Sequence, residues 1–400
     1  MTVPSTGHGT VELGALDGSN PLGFLTALGT LVTVRHAGGV NARLRWKHGL
    51  TWIPVLEEIS ARDDHRFSEI VAEALRGQSV PEDAESARKA AEDAFNAAKK
   101  NVDDKKKQIR GRRLKGKERD AAIDAEVRPL EQTREEKRRD WLQALAKAVP
   151  RPELALGKRI DCTHEEYRDH AHTFRERAGS GDRDTVDFLA AFASDACLDK
   201  YGRTEATPFC FITGSGHQYF LDTVRQLTEH ATSERVHQAL FEPWAYRDET
   251  LSLRWDPIED RRYALMDRDP TASDNTSRTV WMANLLAYRA LVLFPSAPSG
   301  VRLATTAWTE IDGAPTFTWP IWEAAADPDT IRSLLWLPEL RAGRPDRSAL
   351  QARGIAAAYR ARRIKVGEGT NYKINFSPAR GISFNEPTRP TSASRTEIDC

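Results

Sequence analysis

From Pro81 to about Val149 the chain consists mainly of Ala, Glu, Lys, Arg and Asp, with few branched or aromatic residues. A composition so poor in large apolar side chains fits solvated elements rather than a core. It reads as two long solvated helices, broken near Gly111 to Gly116. Residues 81–150 therefore form a charged helical hairpin inserted into a core built by residues 1–80 and 151–340, with 341–400 as a basic C-terminal segment and tail. Between Lys99 and Arg119, eleven Lys or Arg stand against three acids, Asp103, Asp104 and Glu118. A hairpin with a cationic tip can lie along a phosphate backbone and release counterions, giving salt-sensitive, sequence-independent affinity. The alternative is a solvated hairpin whose charges serve solubility.

Four hundred residues exceed one comfortable core, and two or three subdomains are expected. The 58 basic residues balance 58 acidic ones, which argues against a uniformly cationic nucleic-acid binder and leaves local clustering to carry any such function. No apolar run reaches membrane-spanning length, and the N-terminus lacks the basic and apolar regions of a signal peptide, so a cytoplasmic protein is expected. Cys162, Cys197, Cys210 and Cys400 show no CxxC spacing and read as reduced thiols, not as a zinc ribbon or a disulfide framework.

The expected fold class is α+β, a mixed sheet core with packed helices and the inserted hairpin. Val11 to Leu16 reads as a strand. Asp17-Gly18-Ser19-Asn20-Pro21 then forms a turn that caps a buried helix, with Ser19 or Asn20 accepting from the first free amides and Pro21 at the first helical position. Gly38-Gly39 ends that helix, and Ala42 to Trp46 with Thr51 to Val55 make a hairpin. Two further helices are expected over Thr163 to Arg177 and Asp184 to Leu198. His164, His170 and His172 with Cys162 match no zinc spacing and read as surface histidines.

Pro208 to Leu227 joins an apolar strand, Phe209 to Ile212, through Thr213-Gly214-Ser215-Gly216 to an amphipathic helix carrying Phe220, Leu221, Val224 and Leu227. Backbone amides at such a turn suit a phosphate or carboxylate; the plainer reading is a tight turn between packed elements. It is neither a Walker loop nor a Gly-x-Ser-x-Gly elbow. Leu251 to Trp255 and a run ending at Leu265 read as strands about an acidic and basic turn. Its Asp256, Glu259 and Asp260 are either a metal-binding carboxylate cluster or partners of Arg254, Arg261 and Arg262. Thr279 to Phe294 reads as an apolar helix, and Val301 to Thr306 with Thr316 to Trp322 as a strand pair. From Gln351 to Gly381, basic residues interleave with Tyr359, Tyr372 and Phe376, the composition of a strand-binding groove or of a basic helix and hairpin packed on a neighbouring subunit. The last dozen or so residues read as a mobile tail.

The stretch Leu13-Gly14-Ala15-Leu16-Asp17-Gly18-Ser19-Asn20-Pro21-Leu22-Gly23-Phe24-Leu25-Thr26-Ala27-Leu28-Gly29 resembles the opening of the large-subunit proteins of type I-G (formerly I-U) CRISPR effector (Cascade) complexes. Pro208 to Gln218 is similar to that family's apolar strand entering a Gly-rich turn, and Trp255 to Leu265 with the Ala283 to Phe294 helix is similar to a third segment. Together these cover roughly a quarter of the chain. The resemblance implies a non-catalytic subunit without a cofactor, at the foot of a guide-RNA backbone beside other effector subunits. Such a subunit contacts protospacer-adjacent double-stranded DNA, helps to open it, and presents the target to a separate helicase-nuclease.

On this reading Lys105, Lys106, Lys107, Arg110, Arg112 and Arg113 contact the duplex backbone. Gly214, Ser215, Gly216, His217 and Gln218 hold a phosphate or base edge, and Arg360, Arg362, Arg363 and Lys365 meet the guide or target strand. The competing classes are a metal-dependent nuclease using Asp256, Glu259 and Asp260 with His217, and a scaffold of another prokaryotic defence system that binds protein.

Overall fold

Helix α1, Pro21–His36, is the spine of the molecule, and its start is set by local chemistry. Asn20 accepts from the Leu22 and Gly23 amides at 2.8 and 3.3 Å, and Pro21 occupies the first turn, where its missing N–H costs nothing. Every residue from Pro21 to Val34 is buried, so polar side chains on it need internal partners. Thr26, Thr30 and Thr33 find them by donating to the carbonyls four residues earlier. This is a computed structural model, and it describes residues 9–382 apart from 62, 161, 180, 182, 212–218, 260–277, 344 and 369–370.

Strands β1 (Gly9–Glu12), β2 (Arg43–His48) and β3 (Trp52–Ile59) make an antiparallel sheet in the order β1-β3-β2, the expected β-α-β-β opening, although β1 ends before Leu13. Helix α2 (Asp64–Arg76) follows. The inserted hairpin comprises α3 (Glu82–Gly111), α4 (Gly116–Glu126) and α5 (Arg128–Lys147), with the break where the glycines place it and a second one at Val127. Then come α6 (His164–Gly179), α7 (Asp184–Phe192, shorter than expected), α8 (Phe220–Glu229), α9 (Ser233–Phe241) and α10 (Trp281–Arg289), which runs on as a 3-10 turn to Leu293.

Two-stranded pairs join β4 (Asp248–Glu249) to β5 (Arg278–Thr279) and β6 (Ser296–Ser299) to β7 (Arg302–Thr305). A larger antiparallel sheet has the order β8 (Trp308–Ile311), β9 (Ala314–Trp322), β10 (Ile355–Glu368) and β11 (Asn371–Phe376), reversed here from the far edge, with β12 (Arg380–Gly381) also on β10. Helices α11 (Pro328–Leu335), α12 (Pro338–Arg341) and α13 (Arg347–Gln351) cross from β9 to β10.

Both sheets and the helices share one hydrophobic cluster that draws on every part of the chain except the outer hairpin. Phe24 of α1 stacks on Trp46 of β2 at 5.7 Å and lies 5.8 Å from Trp319 of β9. Two of the buried indoles place their donors on backbone carbonyls: Trp319 donates to that of Gly18 at 2.8 Å and Trp322 to that of Leu44 at 2.9 Å, whereas the Trp46 indole N–H has no hydrogen-bond partner among the described residues. The tightest crossing is α1 on α10. A Cβ added to Gly29 would lie 1.6 Å from the Leu286 carbonyl oxygen, so the second glycine of the Leu-Gly-Phe-Leu-Thr-Ala-Leu-Gly run is set by backbone contact.

Two expected strands are not formed, and one expected strand pairing is not made. Phe209 to Phe211 is irregular; the Phe209 carbonyl accepts from the Trp255 indole at 3.1 Å instead of from a strand. Leu251 to Trp255 is also irregular, its Leu253 amide held by Asn284 Oδ1 and its Arg254 amide by Ser252 Oγ, both at 2.8 Å. The 301–306 and 316–322 runs are strands, but they do not pair with each other: β7 pairs β6, and β9 lies between β8 and β10. The strand ending at Leu265 and the C-terminal tail lie outside the described residues.

Candidate nucleic-acid interface

Helix α3 has 30 residues and is therefore about 45 Å long. Its first turn carries Glu82, Asp83 and Glu85 and its last turn Arg110, so its charges oppose the helix dipole correctly at both ends. It packs antiparallel on α5, as the contacts in opposite order show: Phe95 stacks on Trp141 at 5.5 Å, and Lys106 pairs with Glu131 at 2.6 Å. Near the base, Arg138 of α5 holds Glu166 of α6 through two bonds at 2.8 and 3.1 Å, with Arg138 almost fully buried. Glu166 also closes a capping box with Thr163, which fixes the start of α6. Burial works to raise the Glu166 pKa, but Arg138 and the Thr163 amide outweigh it and hold the carboxyl below its usual range.

The outer half stands apart from the main core. Val102, Ile109 and Val127, with Ala122, Ile123 and Leu130, form their own small cluster. Here the six cations singled out in sequence divide into two sets. Lys105 lies 3.5 Å from Glu126, Lys106 2.6 Å from Glu131, and Arg112 grips Glu126 with both ends of its guanidinium at 2.5 and 3.0 Å. These three brace the antiparallel helices. Lys107, Arg110 and Arg113 are exposed and make no ion pair among the described residues, and Lys115, Lys117 and Arg119 beside them are in the same state. The last three belonged to the charge count but carried no individual role in the sequence reading.

The C-terminal cations sit on β10, not on a helix. Arg360 is fully engaged: it donates to Thr318 Oγ1 at 3.2 Å, to the Gly343 and Leu340 carbonyls at 2.9 and 3.0 Å, and to Ala342. It thereby ties the α12 end to the sheet. Arg362 pairs with Asp312 at 2.7 Å. Arg363 and Lys365 point to the other face, as strand alternation requires. Arg363 lies over the Phe211 ring at 5.5 Å and Lys365 over Tyr372 at 4.4 Å.

Gly214, Ser215, Gly216, His217 and Gln218 lie outside the described residues, but both approaches to them are described. Phe211 carries Arg363, and Tyr219 carries Lys158 and Arg159 at 5.2 and 4.7 Å. Arg159 Nε and Arg363 Nε are buried without a hydrogen-bond partner among the described residues, and burial pushes the Arg363 pKa down. Lys158 and Arg159 escaped the sequence reading because they are some sixty residues from the turn; only the fold brings them to Tyr219.

The alternative carboxylate cluster has another use. Asp256 is buried and accepts from Asn20 Nδ2 at 3.0 Å, Tyr246 Oη at 2.7 Å and the Ile258 amide at 3.0 Å, linking the cap of α1 to the loop beyond β4. Glu259 is buried among Ser252 and Thr279 hydroxyls at 2.7 and 2.6 Å. Burial first, and the Asp256 charge second, push the Glu259 pKa up to about 7. Asp260 and His217 are outside the described residues. Among those described, no three His, Cys, Asp or Glu side chains are arranged to hold a metal ion, and His164, His170 and Cys162 are separately engaged. Among the described residues no helix is long and apolar enough to cross a membrane.

No family model, no curated protein and no solved structure matches this chain.

Proposed function

We propose that this chain is a non-catalytic nucleic-acid-binding subunit of a type I CRISPR surveillance complex, whose helical arm lies along the protospacer-adjacent duplex. One observation carries the reading: the outer arm has its own small core, and Lys107, Arg110, Arg113, Lys115, Lys117 and Arg119, which make no ion pair among the described residues, gather around the turn between α3 and α4. The charges balance only over the whole chain, so the excess of cations between Lys99 and Arg119 stands on a net acidic body, and such a cationic, self-supporting projection suits backbone contact without base reading. The cations around Phe211 and Tyr219 give a second point at which the guide or target strand meets aromatic rings and guanidinium groups. The complex then opens the duplex and hands the target to a helicase-nuclease partner.

The test is the salt dependence of binding to a short DNA duplex, for the chain alone and within a guide-RNA complex. Each neutralised phosphate contributes about 0.9 to the logarithmic salt slope. Changing Lys107, Arg110 and Arg113 to Ala lowers the slope by up to about 3, whereas changing the braced Lys105, Lys106 and Arg112 lowers it less. Equal slopes for all three proteins, or binding insensitive to salt, would remove the arm from the DNA interface and favour a protein-binding scaffold.

A further inference from the structure

A cleft of about 780 Å³ opens between the C-terminal end of α1, helix α2, the segment 150–153 and the start of α7, away from the arm and from β10. Its floor is ionic. Arg289, 2 % exposed, reaches Glu153, 3 % exposed, at 3.3 Å and Asp184 at 2.7 Å, and Asp184 continues to His36 at the rim at 2.7 Å. Arg151 lines the same wall and is anchored by one donor on the Ala74 carbonyl. Arg289 Nε is buried without a hydrogen-bond partner among the described residues.

Charges this deep are costly unless compensated, and the compensation here is incomplete on the cationic side. Burial, and then the charge of Arg289, hold the Arg151 pKa down to about 10. Burial likewise pushes the Glu153 carboxyl up, towards its neutral form. At Asp184 burial acts in the same direction, but His36 and Arg289 outweigh it and keep that group ionised. Arg66, which pairs with Glu69 at 2.7 Å, and Arg177 also line the cleft, together with Glu73. Val34, Ile59, Phe67 and Ile70 form an apolar part of the remaining wall, which Thr33, Ser60, Gln78 and Thr185 complete with polar groups. The volume is that of a site for one small molecule, and guanidinium groups brought from separate elements suit the several oxygens of a phosphate better than a single acceptor.

We propose that this cleft binds a phosphomonoester of mononucleotide size, with the phosphate against Arg151 and the sugar and base against the Ile59–Phe67–Ile70 wall. The ligand is either a free mononucleotide or the phosphorylated end of a strand, and the recognised chemistry is the same. The site shares no residue with helices α3 to α5 and stands independently of the DNA-binding reading.

The experiment is calorimetric titration of the full chain with AMP, adenosine, inorganic phosphate, and a tetranucleotide with and without a 5′-phosphate. Two variants accompany the wild type: Arg151→Lys, which keeps the charge and loses the fork, and Ala37→Trp, which fills the exposed mouth of the cleft without touching its charges. One-to-one binding of AMP, at least tenfold weaker in both folded variants and absent with adenosine, is expected. Binding of the phosphorylated tetranucleotide but not of its hydroxyl form assigns the site to a strand end; AMP without the tetranucleotide assigns it to a free nucleotide. If Arg151→Lys does not fold, Ala37→Trp decides alone. No saturable binding of either phosphorylated ligand at millimolar concentration, equal binding of adenosine and AMP, or unchanged affinity in Ala37→Trp would overturn the proposal. The arm variant Lys107→Ala/Arg110→Ala/Arg113→Ala binds AMP as the wild type does, so failure of one reading leaves the other testable.

Discussion

Glu259→Gln should make the protein less sensitive to alkali. Glu259 is 2 % exposed, and its burial, reinforced by Asp256, raises its folded-state pKa from 4.5 to about 7. An acid whose pKa is higher in the folded state takes up protons on folding. Its contribution is therefore complete below pH 4.5 and is lost as the pH rises through 7. A difference of about 2.5 units at 1.36 kcal/mol each sets the full loss at about 3 kcal/mol between pH 4 and pH 8. The amide of glutamine keeps the shape and can still engage the Ser252 and Thr279 hydroxyls, but it does not ionise. Urea unfolding of both proteins at unit pH steps gives the measurement, with the variant gaining on the wild type steadily above pH 5 and by about 3 kcal/mol at pH 8. A difference that stays constant across that range would refute the argument, as would a directly measured Glu259 pKa near 4.5.

Gly29→Ala forces the backbones of α1 and α10 apart, because the new methyl would fall 1.6 Å from the Leu286 carbonyl oxygen. A loss of about 3 kcal/mol or more is expected, at or beyond the upper end of ordinary overpacking, and an unfolding midpoint equal to that of the wild type would show that the crossing is looser than described. Arg138→Ala leaves Glu166 without its guanidinium at the base of the arm. The cost is about 3 kcal/mol, read as an earlier thermal transition that Glu166→Gln in the same chain partly restores.

What was legible in the sequence was what depends on neighbours along the chain. Asn20-Pro21 announces a helix start because capping is settled within four residues, and the structure places the cap bond there. The hairpin was legible from composition alone, and its break from two glycines. Phe209 to Phe211 and Leu251 to Trp255 failed because an apolar run reports burial, not partnership. Their backbone groups are satisfied by the Trp255 indole and the Asn284 amide, which arrive from remote parts of the chain, and by the Ser252 hydroxyl within the second run. β10 failed for a related reason: its run of Arg and Lys hides a strand whose pairing with β9 spans the helices between them. Charge was legible as a local excess, but the division of the arm cations into braced and exposed sets required the register of α3 against α4 and α5. The ionic cleft was not legible at all, since His36, Arg151, Asp184 and Arg289 share no segment.

The arm also fixes an angle. Each residue of α3 advances the helix by about 1.5 Å and turns it by about 100°, so the azimuth of the tip about the arm's long axis is set by the number of residues between Phe95 and the turn. Deleting two residues from each of the paired helices would swing Lys107, Arg110 and Arg113 nearly to the opposite side while shortening the arm by only about 3 Å. Deleting seven from each would bring them back within about 20° of their original bearing. Length and bearing are thus separately adjustable, and insertions of whole heptads are the changes in arm length that keep the cationic tip aimed as it is.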